Sequence, residues 1–213
     1  MPDESSIVAE QFDDAAQQHE TARLGMWTFL ATEILFFGGL FLAYDVYRHF
    51  YFADFAAASR HTDLVFGTVN SIIILTSSFT MALAVHAAKE NYHRSIVRWL
   101  LATIALGTAF LVVKGFEYHK DITDHLVPGP AFNPAIPLHG QIFFWLYWTM
   151  TGLHAVHLSI GIGILSLLAG PARKGKFCSR YHTPLELAGL YWHFVDIIWL
   201  FLYPLLYLIQ RHA

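Results

Sequence analysis

Five apolar segments, each long enough to cross a lipid bilayer, dominate this chain of 213 residues. A membrane-spanning helix needs about 20 apolar residues, because each adds about 1.5 Å and the hydrocarbon core is about 30 Å thick. The segments are 24–47, 64–86, 96–116, 141–168 and 187–209. A hydrophobic content of 55% and a mean hydropathy of +0.44 are too high for an ordinary soluble domain. The sequence therefore predicts an all-α, polytopic membrane bundle with five transmembrane helices.

The sequence predicts two regions. Residues 1–23 form an acidic cytoplasmic tail, and residues 24–213 form a five-helix transmembrane domain. Eight Lys and Arg residues fall in the amino tail and in the second-to-third and fourth-to-fifth loops. The opposite side has five, namely Arg48, Arg60, Lys114, Lys120 and Arg211. The positive-inside rule then predicts a cytoplasmic amino terminus and an external carboxyl terminus. The net charge of −3 excludes an overall basic nucleic-acid binder.

Other sequence features narrow the class of membrane protein. Four prolines between residues 127 and 138 predict an extended, non-helical connection on the outer surface. We find no internal repeat of the inverted-topology type, which lowers the expectation of a secondary transporter. No cleavable signal peptide is evident, so we expect the first helix to direct insertion. The single cysteine, Cys178, allows no intrachain disulfide.

Glu33 lies in the middle of the first apolar segment. Counted as helix, it is roughly 14 Å beyond Leu24 and therefore near the bilayer midplane. An ionisable group at that depth is unfavourable and is a functional-site hypothesis by default.

Further polar residues interrupt the other predicted spans, and two pairs among them share a helical face because they are three residues apart. These residues are Asn70, Glu117, His154, His157, His193 and Asp196. One interpretation is an intramembrane metal site built by imidazole and carboxylate ligands. The other is a hydrogen-bonded network without metal. Glu117 is nearer its helix end, which predicts an interfacial position. Ala155, Ser159 and Gly163 form a small-residue stripe that predicts close approach of a neighbouring helix.

Five motifs resemble those of subunit III of the haem-copper oxidases, in the order found in that family. They are GMWTFLATEILFF at 25–37, VNSIIIL at 69–75, GFEY at 115–118, TGLHAVHLSIG at 151–161 and YWHFVDIIWLFLY at 191–203. The last is the most specific, because thirteen residues rich in Trp, His and Asp are unlikely to match by chance.

The resemblance implies a subunit of a proton-translocating cytochrome c oxidase in the bacterial inner membrane, with no catalytic residue, haem, copper or other metal of its own. Haem and copper would belong to partner subunits. Subunit I and subunit II would be its partners, with a small subunit IV, other respiratory complexes and membrane lipids as further candidates. Glu33 falls on the family's carbodiimide-reactive carboxyl, which supports proton uptake. The resemblance assigns packing and hydrogen-bonding roles to the histidines and Asp196.

This chain lacks the two extra amino-terminal helices of seven-helix members, so lipid sites in the cleft that those helices form are not expected without another subunit. Phospholipid can instead be expected at a basic inner loop. The candidate headgroup ligands there are Arg173, Lys174, Lys176, Arg180 and His182. The alternative is that this cluster only sets topology. Three other functions stay open: a quinol oxidase subunit, a nitric oxide reductase accessory protein, and a stand-alone proton carrier. The sequence does not identify the electron donor or the haem types.

Overall fold

The computed structural model describes residues 14–178 and 181–209. These residues form six α-helices: α1 (Ala15–Phe50), α2 (Phe52–Ser59), α3 (Leu64–Lys89), α4 (His93–Thr123), α5 (Gly140–Arg173) and α6 (Thr183–Tyr207). All except the short α2 are long and apolar enough to span a membrane. The predicted all-α bundle with five transmembrane helices is confirmed.

The first helix begins at Ala15, nine residues before the apolar segment 24–47 from which the first span was predicted. The side chain of Asp14 caps α1 by accepting a hydrogen bond from the backbone N–H of Gln17 at 2.7 Å. Residues 15–23, predicted as part of the acidic tail, are therefore helical and continuous with the first span. Residues 1–13, which carry most of the tail's acidic groups, lie outside the described residues.

The connection between α4 and α5 is non-helical, as its prolines predict. The backbone N–H of Asn133 donates to the carbonyl of His125 at 2.9 Å, and the indole N–H of Trp148 donates to the carbonyl of Leu126 at 3.3 Å. The short α2 packs against α5 where this connection ends, and Asp54 Oδ2 lies 2.8 Å from His139 Nδ1. These contacts fix the loop at one end of the bundle.

The helices pack around α6, which is the most buried of the five spans, whereas α1 is the most exposed. Helices α3 and α5 flank α6, and α4 packs against both of them. Trp192 of α6 is buried between α4 and α5, and its indole N–H donates to Ser77 Oγ at 3.1 Å. Two glycines make room for this ring. A Cβ atom at Gly107 or Gly161 would lie 2.7 or 3.0 Å from it.

The predicted small-residue stripe does not mediate this packing. Ser159 and Gly163 are exposed, and a Cβ atom added at Gly163 would meet nothing within 4 Å. The close approach uses Gly161 instead, on another face of α5. The prediction that the stripe admits a neighbouring helix is therefore wrong for the helices of this chain in its described part.

Candidate functional site

Glu33 projects from α1 toward α5, where it meets His157. Glu33 Oε2 lies 3.1 Å from His157 Nε2, and their side chains are 18% and 15% exposed. The imidazole is held from several sides. His157 Nδ1 lies 2.8 Å from the carbonyl oxygen of Leu153, and Phe37 packs edge-on against the ring at 5.3 Å. The carboxyl of Glu33, in the first span, therefore has a defined, oriented partner.

The geometry of His157 fixes the arrangement of protons in this pair. A carbonyl oxygen can only accept a hydrogen bond, so Nδ1 must carry a proton and donate it to Leu153. In the neutral imidazole, Nε2 then has no proton and can only accept one from a protonated Glu33. In the imidazolium form, Nε2 donates to an ionised Glu33. Both forms place one proton between Nε2 and Oε2.

His193 and Asp196 form a second polar group, on α6. His193 Nδ1 lies 2.8 Å from Ser78 Oγ of α3. Asp196 is 2% exposed, and among the described residues its carboxyl oxygens have no hydrogen-bond partner of normal geometry, although Ser78 interacts with it electrostatically. Both residues thus lie at the α3–α6 interface, where His193 is the more exposed of the two.

Asn70 and His154 are buried elsewhere in the bundle. The amide of Asn70 has no hydrogen-bond partner among the residues that the structure describes, and His154 Nε2 lies 3.3 Å from the carbonyl oxygen of Val195. The His154 ring packs between Phe110 and Trp199, with centroid distances of 5.4 and 5.2 Å. His154 and His157 share a face of α5 as predicted, yet they have different partners.

The densest cluster of buried charge lies around Lys114, which sequence reasoning missed as a site. Lys114 Nζ donates to the hydroxyls of Tyr207 at 2.7 Å and Tyr147 at 3.0 Å, and lies 3.0 Å from Glu117 Oε2. Both tyrosine hydroxyls donate to Glu117 Oε1, and that of Tyr147 also lies 2.8 Å from Asp121 Oδ2. This Lys114 cluster ties α4 to α5 and α6 through groups that are almost fully buried.

One sequence expectation changes with this cluster, and another stays a prediction. Glu117 was predicted nearer the outer membrane interface than the midplane; within the protein its side chain is fully buried. Lys114 was counted among the five cations of the outer side, but it is 2% exposed and belongs to the helix interior, which leaves four. Lys114 already fell inside the predicted segment 96–116, and α4 continues beyond that segment to Thr123. The spacing of Lys114, Glu117 and Asp121 on one helical face was the signal available.

These polar groups are dispersed over separate interfaces. Within the part of the chain that the structure describes, no group of three or more His, Cys, Asp or Glu side chains could hold a metal ion. The histidine pairs and Glu33 do not converge on one point, so the ligand geometry that the metal interpretation needs does not form there.

The predicted headgroup ligands also separate into groups. Arg173, Lys174 and Lys176 are exposed at the end of α5, whereas Arg180 lies outside the described residues. His182 Nε2 lies 3.4 Å from Glu186 Oε1, which Lys89 also binds at 2.8 Å. His182 is therefore engaged with a carboxylate.

Comparison with known proteins identifies the family. The family model for cytochrome c oxidase subunit III matches residues 6–210. The chain is 33% identical to cytochrome c oxidase subunit 3 of Thermostichus vulcanus, over 93% of this chain and 92% of that protein. It belongs to the cytochrome c oxidase subunit III family. The subunit 3 of Corynebacterium diphtheriae is 29% identical over 96% of both chains. A probable quinol oxidase subunit 3 of Staphylococcus haemolyticus is 27% identical over 92% of this chain and 93% of that protein.

The residues matched by the family model include all five motifs on which the resemblance rested. The matched range contains Glu33, His157 and the Lys114 cluster. The family is that of a subunit of an oxidoreductase complex, and the five spans make this member a multi-pass membrane protein.

Proposed function

We propose that this chain is the non-redox membrane subunit of a bacterial, proton-translocating cytochrome c oxidase. It packs against the catalytic subunit I, which with subunit II holds the haem and copper. The observation that carries the proposal is the family match over residues 6–210, supported by relatives named cytochrome c oxidase subunit 3 that are matched over nearly their whole length.

The Glu33–His157 pair gives this role a physical basis. Two groups that share one proton at 3.1 Å can hold that proton inside the membrane without an unpaired charge. The pair joins α5 to α1, which is the most exposed of the five spans, rather than lying at the buried centre of the bundle. At the edge of the bundle, the pair is placed to support proton uptake by a neighbouring subunit. The proposed orientation of the chain has its amino terminus in the cytoplasm.

A quinol oxidase subunit is the second candidate, because the probable quinol oxidase relative is matched over nearly the whole chain. Its identity of 27% is lower than the 33% of the Thermostichus vulcanus protein. This ordering favours cytochrome c as the donor of the complex.

The test is to purify the intact complex through an affinity tag on this chain, identify its subunits by mass spectrometry and record its haem spectrum. We expect a haem-containing subunit I and a subunit II with a copper-binding domain, together with oxidation of reduced cytochrome c. Oxidation of a quinol but not of cytochrome c would establish the second candidate. Recovery of this chain without any haem-containing partner would contradict both.

A further inference from the structure

The Lys114 cluster contains two carboxyl groups but only one cation. Lys114 supplies the positive charge, Glu117 and Asp121 are the carboxyl groups, and all three side chains are almost fully buried. If both carboxyls were ionised, the cluster would hold an uncompensated negative charge in the interior of the bundle. Such a charge is strongly unfavourable away from water, so the cluster needs one further positive charge.

The contacts of Lys114 identify Glu117 as its ionised partner. Lys114 Nζ lies 3.0 Å from Glu117 Oε2 and donates to the hydroxyls of Tyr207 and Tyr147 at 2.7 and 3.0 Å. An ammonium group has three protons, and these three contacts use all of them. Among the described residues, Asp121 has no ion-pair contact with a Lys, Arg or His nitrogen. The positive charge therefore compensates Glu117 rather than Asp121.

The hydroxyl of Tyr147 locates the missing proton. Its oxygen lies 2.8 Å from Glu117 Oε1 and 2.8 Å from Asp121 Oδ2, and both separations are of hydrogen-bond length. A phenol has one proton to donate, whereas an ionised carboxylate has none. Two ionised carboxylates would leave one of these two contacts without a proton between its oxygens. Because Glu117 is the partner of Lys114, the second proton belongs to Asp121.

The other charged and titratable groups near Asp121 do not offer it a positive partner. Lys120 Nζ lies 2.6 Å from Asp63 Oδ2, in an ion pair of its own. Asp124 is exposed at the end of α4 and is negative. The hydroxyl of Tyr118 is hydrogen-bonded to a threonine of α5 at 2.7 Å. A proton is therefore the positive charge that is available to the Asp121 carboxyl.

We propose that the Lys114 cluster is a proton-binding site, in which Asp121 holds one proton in the folded subunit and donates it to Tyr147. Tyr147 then donates to Glu117, which stays ionised beside Lys114, and the cluster as a whole is neutral. The proton comes from water when the helices pack. The site is separate from the Glu33–His157 pair and does not depend on the electron donor of the complex.

Infrared spectroscopy of the purified complex tests the position of the proton, because a protonated carboxyl has a C=O stretching band that a carboxylate lacks. At pH 7 the difference between wild type and Asp121→Asn should contain one such band, and labelling aspartate side chains with ¹³C should shift it. Asp124→Asn is the matched control on the same helix end, and it should leave the band in place. Absence of the band from the difference, or a band that shifts with labelled glutamate instead, would overturn the proposal.

Thermal dissociation of the subunit from the complex provides an independent test. Asp121→Asn should stay within about 2 °C of wild type at pH 7, because an amide N–H can replace the acid O–H as donor to Tyr147. Glu117→Gln should lower the midpoint by roughly 6 °C or prevent assembly, because it leaves Lys114 buried without its ionised partner. A loss in Asp121→Asn as large as that in Glu117→Gln would show that Asp121 is ionised and would overturn the proposal.

Discussion

His157 on α5 holds Glu33 on α1 at 3.1 Å, and its other ring nitrogen is fixed by the carbonyl of Leu153 at 2.8 Å. This relationship gives the carboxyl of the first span an oriented imidazole partner, so that it is not an isolated ionisable group. It also connects the most exposed helix to the rest of the bundle. The pair and the Lys114 cluster are separate arrangements, one at the edge of the bundle and one inside it.

Replacing Lys114 should destabilise the subunit strongly. Lys114→Met keeps the length of the side chain but leaves Glu117 and Asp121 buried without their cation, a change that costs about 3–5 kcal/mol. Lys120→Met is the matched control on the same helix, since its ion pair with Asp63 is exposed and contributes less than about 1 kcal/mol. The measurement is thermal dissociation of the subunit from the complex. Equal effects of the two substitutions would show that the buried cluster is not stabilising.

The packing of Trp192 predicts a contrast between two glycines. Gly107→Ala places a methyl group 2.7 Å from this buried ring and should destabilise the subunit by about 1–3 kcal/mol. Gly163→Ala has free space and should be neutral or slightly stabilising, because alanine favours helix. Thermal stability of the complex again distinguishes them, and an unaffected Gly107→Ala variant would contradict the observed approach of α4 to α6.

A pH effect is expected at Asp63, which caps α3 outside the spans. Partial burial acts to raise its pKa, but hydrogen bonds from Lys120 and from the backbone N–H of Val65 hold the pKa below the usual 3.8. The carboxylate therefore contributes stability above that value and loses it as pH falls through the lowered pKa. Asp63→Asn retains a cap and should be less stable than wild type at pH 7 by less than about 1 kcal/mol. A difference that grows as pH falls from 5 to 3 would contradict this sign.

Topology follows from the distribution of positive charge. With Lys114 removed from the outer set, eight cations oppose four, which strengthens the predicted cytoplasmic amino terminus. A phosphatase reporter fused after Ala213 should be active outside the cell, and one fused in the α3–α4 turn should be inactive. Activity of the second fusion and silence of the first would reverse the orientation.

The fold and the site differ in how far the sequence determines them. Apolar length alone locates the five spans, because the bilayer sets the length of a helix. The contacts between side chains of different spans do not follow from apolar length. Glu33 and His157 are 124 residues apart, and the sequence predicts both in the membrane without showing that they meet. Lys114 lies inside the predicted segment 96–116, but the sequence does not show that its partners Tyr147 and Tyr207 come from two other helices.

The pattern of small residues fails for a related reason. Spacing of four identifies one face of a helix but not which face meets a neighbour. On α5 the face with Gly161 meets Trp192, whereas Ser159 and Gly163 are exposed. The size of a partner side chain, rather than the regular spacing, decided where the close approach occurs.

The central claim is that this chain supports the oxidase without catalysing its chemistry, and Glu33→Gln tests it most directly. The amide preserves shape and can still bond to His157, but it removes the titratable carboxyl. Glu90→Gln, at an exposed position after α3, is the control. Oxygen consumption and proton release are followed from the first turnovers in reconstituted complexes of equal subunit content. We predict that initial oxygen reduction in Glu33→Gln stays within about twofold of wild type, since an accessory group contributes little to the catalytic barrier. The number of turnovers before inactivation, or the pH dependence of proton uptake, should change. Immediate loss of oxygen reduction in a fully assembled Glu33→Gln complex, with Glu90→Gln unaffected, would contradict the account.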